Sequence, residues 1–85
     1  MAYRIIMTPE ARRNMLDLPR DMARRVHACI LALAKTPRPS PTKKLRGPGQ
    51  YWRVRVGDYR IIYQVEDDKL LVIVVRIGHR REVYR

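Results

Sequence analysis

Cysteine occurs once, phenylalanine not at all and histidine twice, and acidic side chains number only eight against nineteen Lys and Arg. Each shortage excludes something. A single Cys29 rules out an internal disulfide, and one Cys with two well-separated histidines, His27 and His79, is too few for a dedicated zinc site. No metal and no cofactor are therefore expected. No apolar run approaches the roughly 20 residues of a membrane span, since the longest, Leu70 to Val75, has only the length of a strand. Met1-Ala2-Tyr3-Arg4 lacks the pattern of a secretory leader, so a cytoplasmic protein is the expectation. With 85 residues and no internal repeat, the chain reads as one small domain, residues 1–85.

What the chain has in excess is positive charge, a net +11, well beyond a solubility requirement. Only four of the nineteen cations are lysine. Arginine offers a planar fork that grips phosphate through two bonds, whereas lysine acts as a point charge. The partner these numbers imply is a polyanion or a strongly acidic protein. A membrane surface is not expected, because no helix joins a basic face to a Trp/Phe/Leu-rich one.

The most informative stretch is Tyr51 to Val65, where two runs rich in β-branched and aromatic residues flank Gly57-Asp58. It reads as a hairpin, with Gly57 supplying the positive φ of a type II′ turn. That turn sets Val56 opposite Tyr59, Arg55 opposite Arg60, Val54 opposite Ile61, Arg53 opposite Ile62 and Trp52 opposite Tyr63. Opposed residues share a face. One face then holds Trp52, Val54, Val56, Tyr59, Ile61 and Tyr63, a core face; the other gathers Arg53, Arg55 and Arg60. Like charges set opposite one another destabilise a hairpin, by up to about 1 kcal/mol. Breaking a local rule in this way points to an anion-binding face. The alternative is that long arginines simply splay apart in water.

The rest of the chain supplies cover for the core face. Residues 3–7 suit a short strand. Thr8-Pro9 opens a helix whose apolar stripe is Ala11, Met15 and Leu18. A second helix, from about Pro19 to Thr36, turns Met22, Val26, Cys29, Ile30 and Leu33 inward. Cys29 is expected as a structural thiol and His27 as a surface histidine. Thr36 to Gln50, with four prolines and with Lys43, Lys44 and Arg46, reads as a basic loop without regular structure. After the polar turn Glu66 to Lys69, Leu70 to Ile77 forms a third strand, apolar on both faces and so placed inside the sheet. Pairing Val65 with Leu70 would set Ile62 opposite Ile73 and Arg60 opposite Val75, with Ile77 ending beside the arginines. The fold class is α+β: an N-terminal strand, a two-helix hairpin, then a three-stranded antiparallel meander.

This order resembles the RelE family of toxins from bacterial toxin–antitoxin pairs. The resemblance spans the chain and is strongest at Lys44-Leu45-Arg46-Gly47, at Gly57-Asp58-Tyr59-Arg60-Ile61-Ile62-Tyr63 and at Gly78-His79-Arg80-Arg81-Glu82-Val83-Tyr84. It implies a metal-independent endoribonuclease that cuts messenger RNA on the ribosome by attack of the 2′-hydroxyl on the adjacent phosphate. It also implies an acidic cognate antitoxin as partner, with operator DNA reached only through that antitoxin. Carried over, the family's basic positions fall on Arg53, Arg55 and Arg60, its tail arginine on Arg80, with Arg81 as the competing match, and its terminal tyrosine on Tyr84. Lys43, Lys44, Arg46 and Arg81 are then expected to hold substrate.

The founding pattern has lysines where this chain has Arg53 and Arg55. Arginine does not give up its proton, so neither is a general base. His79 is the one nearby side chain with an unperturbed pKa suited to proton transfer; His79 or Tyr84 is expected to share the acid–base work while the arginines act electrostatically, and Glu82 is a weaker option. The scaffold also resembles ParE-type toxins, which inhibit DNA gyrase without a nuclease site, and a catalytically weakened nucleic-acid-binding module is a third reading.

Overall fold

Thr8 does what a helix cap should: its hydroxyl accepts from the Ala11 backbone N–H at 3.1 Å, and Pro9 occupies the first helical position. The computed structural model describes residues 2–38, 43–44 and 51–79. Within them, strand β1 (Arg4–Met7) leads into helices α1 (Pro9–Leu16) and α2 (Arg20–Leu33), joined at Pro19. Strands β2 (Lys43–Lys44), β3 (Tyr51–Val56), β4 (Tyr59–Glu66) and β5 (Leu71–His79) follow. The sheet order is β1-β5-β4-β3-β2, with β1 parallel to β5 and every other pair antiparallel.

The expected stripes build the core. Ala11 of α1 and Val26, Ile30 and Leu33 of α2 lie buried against Val54, Ile61, Tyr63, Val72, Val74 and Ile77, with Met15, Leu18, Met22 and Cys29 packed around them. Burial pushes the Cys29 thiol pKa up, as befits a structural role. His27 is exposed. Tyr63 is fully buried and donates its hydroxyl to the Pro37 carbonyl at 2.6 Å, tying the segment after α2 to the centre of the sheet.

The hairpin has the expected register, residue for residue, from Trp52↔Tyr63 to Val56↔Tyr59. Gly57 adopts φ +58 and Asp58 does not share the positive φ, which fits type II′ and excludes type I′. Gly57 also sits beneath α2, where a Cβ would stand 3.1 Å from Met22 Cε and 3.3 Å from Arg25 Nη1.

Three expectations need correction. The basic connection is not wholly irregular, since Lys43 and Lys44 pair with Arg53 and Trp52 and extend the sheet by a strand. The two helices end earlier than expected, at Leu16 and Leu33. The third correction bears on the site. Asp67–Lys69 forms a turn of 3-10 helix that closes on Leu70 at φ 51, so β5 begins at Leu71 and Val65 pairs with Val72 rather than Leu70. A bulge between Ile62 and Tyr63 then shifts the register again, skipping Val75. The Val75 carbonyl is satisfied by the Thr8 hydroxyl at 2.8 Å. Beyond the bulge, Ile77 faces Ile61 in the core, while Arg76 and Gly78 take the face expected for Val75 and Ile77.

Candidate nucleic-acid interface

The sheet has two unlike faces. Alternation along β3, β4 and β5 sends one set of side chains under the helices and the other set away from them. The far face carries Arg53 and Arg55 from β3, Arg60 and Ile62 from β4, and Arg76 and Gly78 from β5, in the rows Arg55–Arg60–Gly78 and Arg53–Ile62–Arg76. Lys43 stands across from Arg53 at the edge. Ile62 is buried, yet it is not part of the core cluster. Its opposed neighbours are both arginines, whose aliphatic stems are suited to shielding it while their heads stay wet.

Opposed residues in an antiparallel pair hold their Cβ atoms about 4.5–5.5 Å apart, so Arg55 and Arg60 share one small space. Arg55 directs its Nε to the Gly57 carbonyl at 3.3 Å. Arg60 lies deeper: its Nη1 is buried and has no hydrogen-bond partner among the described residues. Leaving a charged donor buried and unsatisfied costs at least about 1–3 kcal/mol. An anion between the two guanidinium groups would offset that penalty, and a phosphate has both the charge and the oxygens to do so.

Arg76 was not among the residues expected here, because a bulge leaves no mark in a run of alternating β-branched residues. Its Nε lies 3.2 Å from Glu10 Oε1, at the start of α1. The link follows from α1 running along β5, where Asn14 Oδ1 accepts the Ile77 backbone N–H at 3.0 Å.

His79 is not brought to this face. It opposes Tyr59, one residue out of phase with Arg60, and therefore projects to the helix side. There its ring meets Tyr59 edge-on, with centroids 5.6 Å apart and planes at 81°, beside a groove of about 260 Å³ that Asn14, Asp17 and Leu18 also line. Strand alternation thus places His79 on the face opposite the arginines it was expected to work beside. Arg46, Arg80, Arg81, Glu82 and Tyr84 lie outside the described residues, as do the side chains of Lys43 and Lys44.

A second cluster, also missed, anchors the start of the basic segment. Arg38 binds both oxygens of Asp67, at 3.2 and 2.8 Å, and its guanidinium lies 5.1 Å from the centre of the Trp52 ring. Tyr3 donates its hydroxyl to Asp67 Oδ1 at 2.7 Å. The Arg38 hydrogen bond, then that from Tyr3, holds the Asp67 carboxyl below the usual carboxylate range, and the bond to Asp67 raises the Tyr3 pKa. Among the described residues, no three His, Cys, Asp or Glu side chains gather as a metal site would require. No helix there is long and apolar enough to cross a membrane.

Comparison with known proteins agrees with this architecture. A family model described as the ParE toxin of the type II toxin–antitoxin system parDE matches residues 5–84. Toxin RelG of Mycobacterium tuberculosis is 30% identical, over 100% of this chain and 99% of its own length. The mRNA interferase toxin RelE of Escherichia coli is 28% identical, over 99% of this chain and 92% of its own. Among solved structures, the archaeal RelE–RelB complex of Pyrococcus horikoshii superposes with a TM-score of 0.84 at 27% identity, covering 98% of this chain and 100% of that one.

Proposed function

This chain belongs to the RelE/ParE toxin family of type II toxin–antitoxin systems, and from that premise we propose that it is a ribosome-dependent endoribonuclease that cuts messenger RNA. The observation that carries the reading is the buried, unpartnered Nη1 of Arg60 directly across from Arg55 on the face turned away from the helices. That is a cradle prepared for an anion with several oxygens.

The reaction moves one proton and exchanges one bond. The 2′-oxygen attacks the adjacent phosphorus, the bond to the 5′-oxygen breaks, and the proton lost by the 2′-hydroxyl is made up on the leaving oxygen. The products are a 2′,3′-cyclic phosphate and a 5′-hydroxyl. Negative charge accumulates on the non-bridging oxygens in between, and fixed donors aimed there are typically worth about 3 kcal/mol each. Arg55 and Arg60 take that role, and Arg53 with the basic segment of Lys43, Lys44 and Arg46 holds the flanking backbone. Arg80 and Arg81 supply further cations by the family pattern. Neither Arg53 nor Arg55 removes a proton, since guanidinium stays charged at any physiological pH. Catalysis is therefore mainly electrostatic, with Tyr84 the side chain assigned to orient the 2′-hydroxyl or stack on a base. The partner that silences this surface is an acidic antitoxin, in keeping with the +11 charge and with the RelB bound to the archaeal relative.

The matching family model is named for ParE toxins, and a second reading is what the resemblance to ParE-type toxins implies, inhibition of DNA gyrase. Expression without an antitoxin separates the two. Translation arrest with message cut within codons supports the nuclease; DNA-damage signalling with intact message supports the gyrase reading.

A further inference from the structure

We infer that Arg76, held by Glu10, is a second phosphate-binding position that carries the RNA backbone from the Arg55–Arg60 cradle across β5 towards α1. The inference rests on the nuclease reading above. It goes beyond that reading in naming a residue and a direction of travel for the strand.

Three observations meet at Arg76. The bulge between Ile62 and Tyr63 puts it on the arginine face, opposite Ile62, where an unbroken ladder would have put Val75. Arg60 pairs with Gly78, so Arg76 is its diagonal neighbour on the adjacent strand, about 7–8 Å away. Gly78 itself brings no side chain into the space between them. Third, Arg76 already grips an anion: Glu10 Oε1 lies 3.2 Å from its Nε, with the two side chains partly exposed at 38% and 50%. The carboxylate oxygen marks where a phosphate oxygen would bond. An ion pair this open to solvent is held weakly, so a phosphate bearing more charge can take the place of the carboxylate. Glu10 also has a second effect. It keeps Arg76 oriented while no RNA is bound, and it competes with RNA for the same guanidinium.

The site therefore has two residues of opposite influence, which gives the test its sign. The probe is a short single-stranded RNA with a 2′-methoxy group at the scissile position, so that binding is measured without cleavage. Affinity is followed by fluorescence anisotropy across a salt series. Arg76→Gln should weaken binding about tenfold, the worth of one charge-assisted contact, and flatten the plot of log affinity against log salt by about 0.7, one single-strand phosphate. Glu10→Gln should tighten binding and leave that slope at least as steep. Arg24→Gln, an exposed cation of α2 away from the face, should change neither.

If Arg60→Ala binds poorly while Arg76→Gln and Glu10→Gln match the wild type, the extension towards α1 is wrong and the cradle stands. If Arg24→Gln weakens binding as much as Arg76→Gln does, the attraction is diffuse and the inference fails. If neither Arg60→Ala nor Arg76→Gln alters binding, the nuclease reading falls with it.

Discussion

Arg55 and Arg60 face each other across the β3–β4 ladder, and the buried Nη1 of Arg60 meets no hydrogen-bond acceptor among the described residues. Two like charges in this position oppose folding of the hairpin. On the proposed reading, a pair that disfavours the folded state is kept for the anion it binds.

Arg60→Ala should therefore separate activity from stability. Loss of one preorganised donor is expected to lower the cleavage rate about 10²–10³-fold. The urea midpoint should stay put or rise slightly, because a like-charge pair and an unsatisfied donor leave together. Parallel cleavage and denaturation measurements on one preparation check both.

His79→Gln should leave cleavage of ribosome-bound message near the wild-type rate. Its ring lies against Tyr59 on the helix side of the sheet. A fall of a hundredfold in single-turnover rate would return His79 to the chemistry.

The bulge makes a packing prediction. Ile77→Ala empties a site that is 2% exposed and should destabilise by about 2–5 kcal/mol, whereas Val75→Ala, at the skipped position outside the core cluster, should cost distinctly less. Urea unfolding of the two variants reports on the register, since an unbulged ladder would put Val75 and Ile77 on one face and bring the two costs together.

Gly57→Ala tests the turn. Its φ of +58 penalises a side chain, whereas the 3.1 Å approach of Met22 Cε is met by a small shift of that flexible tip. A left-handed non-glycine residue costs about 1–2 kcal/mol by backbone sterics alone, and the loss should appear in thermal melts.

Stability should also depend on pH through Asp67. Its pKa is depressed in the folded protein, first by Arg38 and then by Tyr3. The contribution is complete above the unfolded carboxylate pKa of about 3.9 and is lost as pH falls through the lower folded value. The difference in urea midpoint between the wild type and Asp67→Asn should accordingly be largest near neutrality and shrink below about pH 4.

Much of this was legible in the chain, and what was not has definite physical causes. The Gly57-Asp58 turn specifies its own register, so the pairing of Arg55 with Arg60 could be read before any coordinates. The β4–β5 connection could not, because a 3-10 turn ending on a left-handed Leu70 has no glycine to announce it. Nor could the bulge at Val75, which rests on a hydroxyl donated by Thr8, 67 residues away. Those two features moved Arg76 into the site and Ile77 into the core. His79, expected in the tail beyond Ile77, instead ends β5 opposite Tyr59, because Gly78 does not break the strand. Likewise, Lys43–Lys44 gains its strand character from Trp52 and Arg53 across the ladder rather than from its proline-rich surroundings.

The central claim is that the scissile phosphodiester of a message lies between Arg55 and Arg60. Its most direct test is to map cleavage ends on a defined messenger RNA in a translating extract, with wild-type protein and with Arg60→Ala. The account predicts cuts within codons that leave 2′,3′-cyclic phosphate and 5′-hydroxyl ends, nearly abolished in the variant. Intact message with the wild type, or the same ends at the same rate with Arg60→Ala, would contradict it.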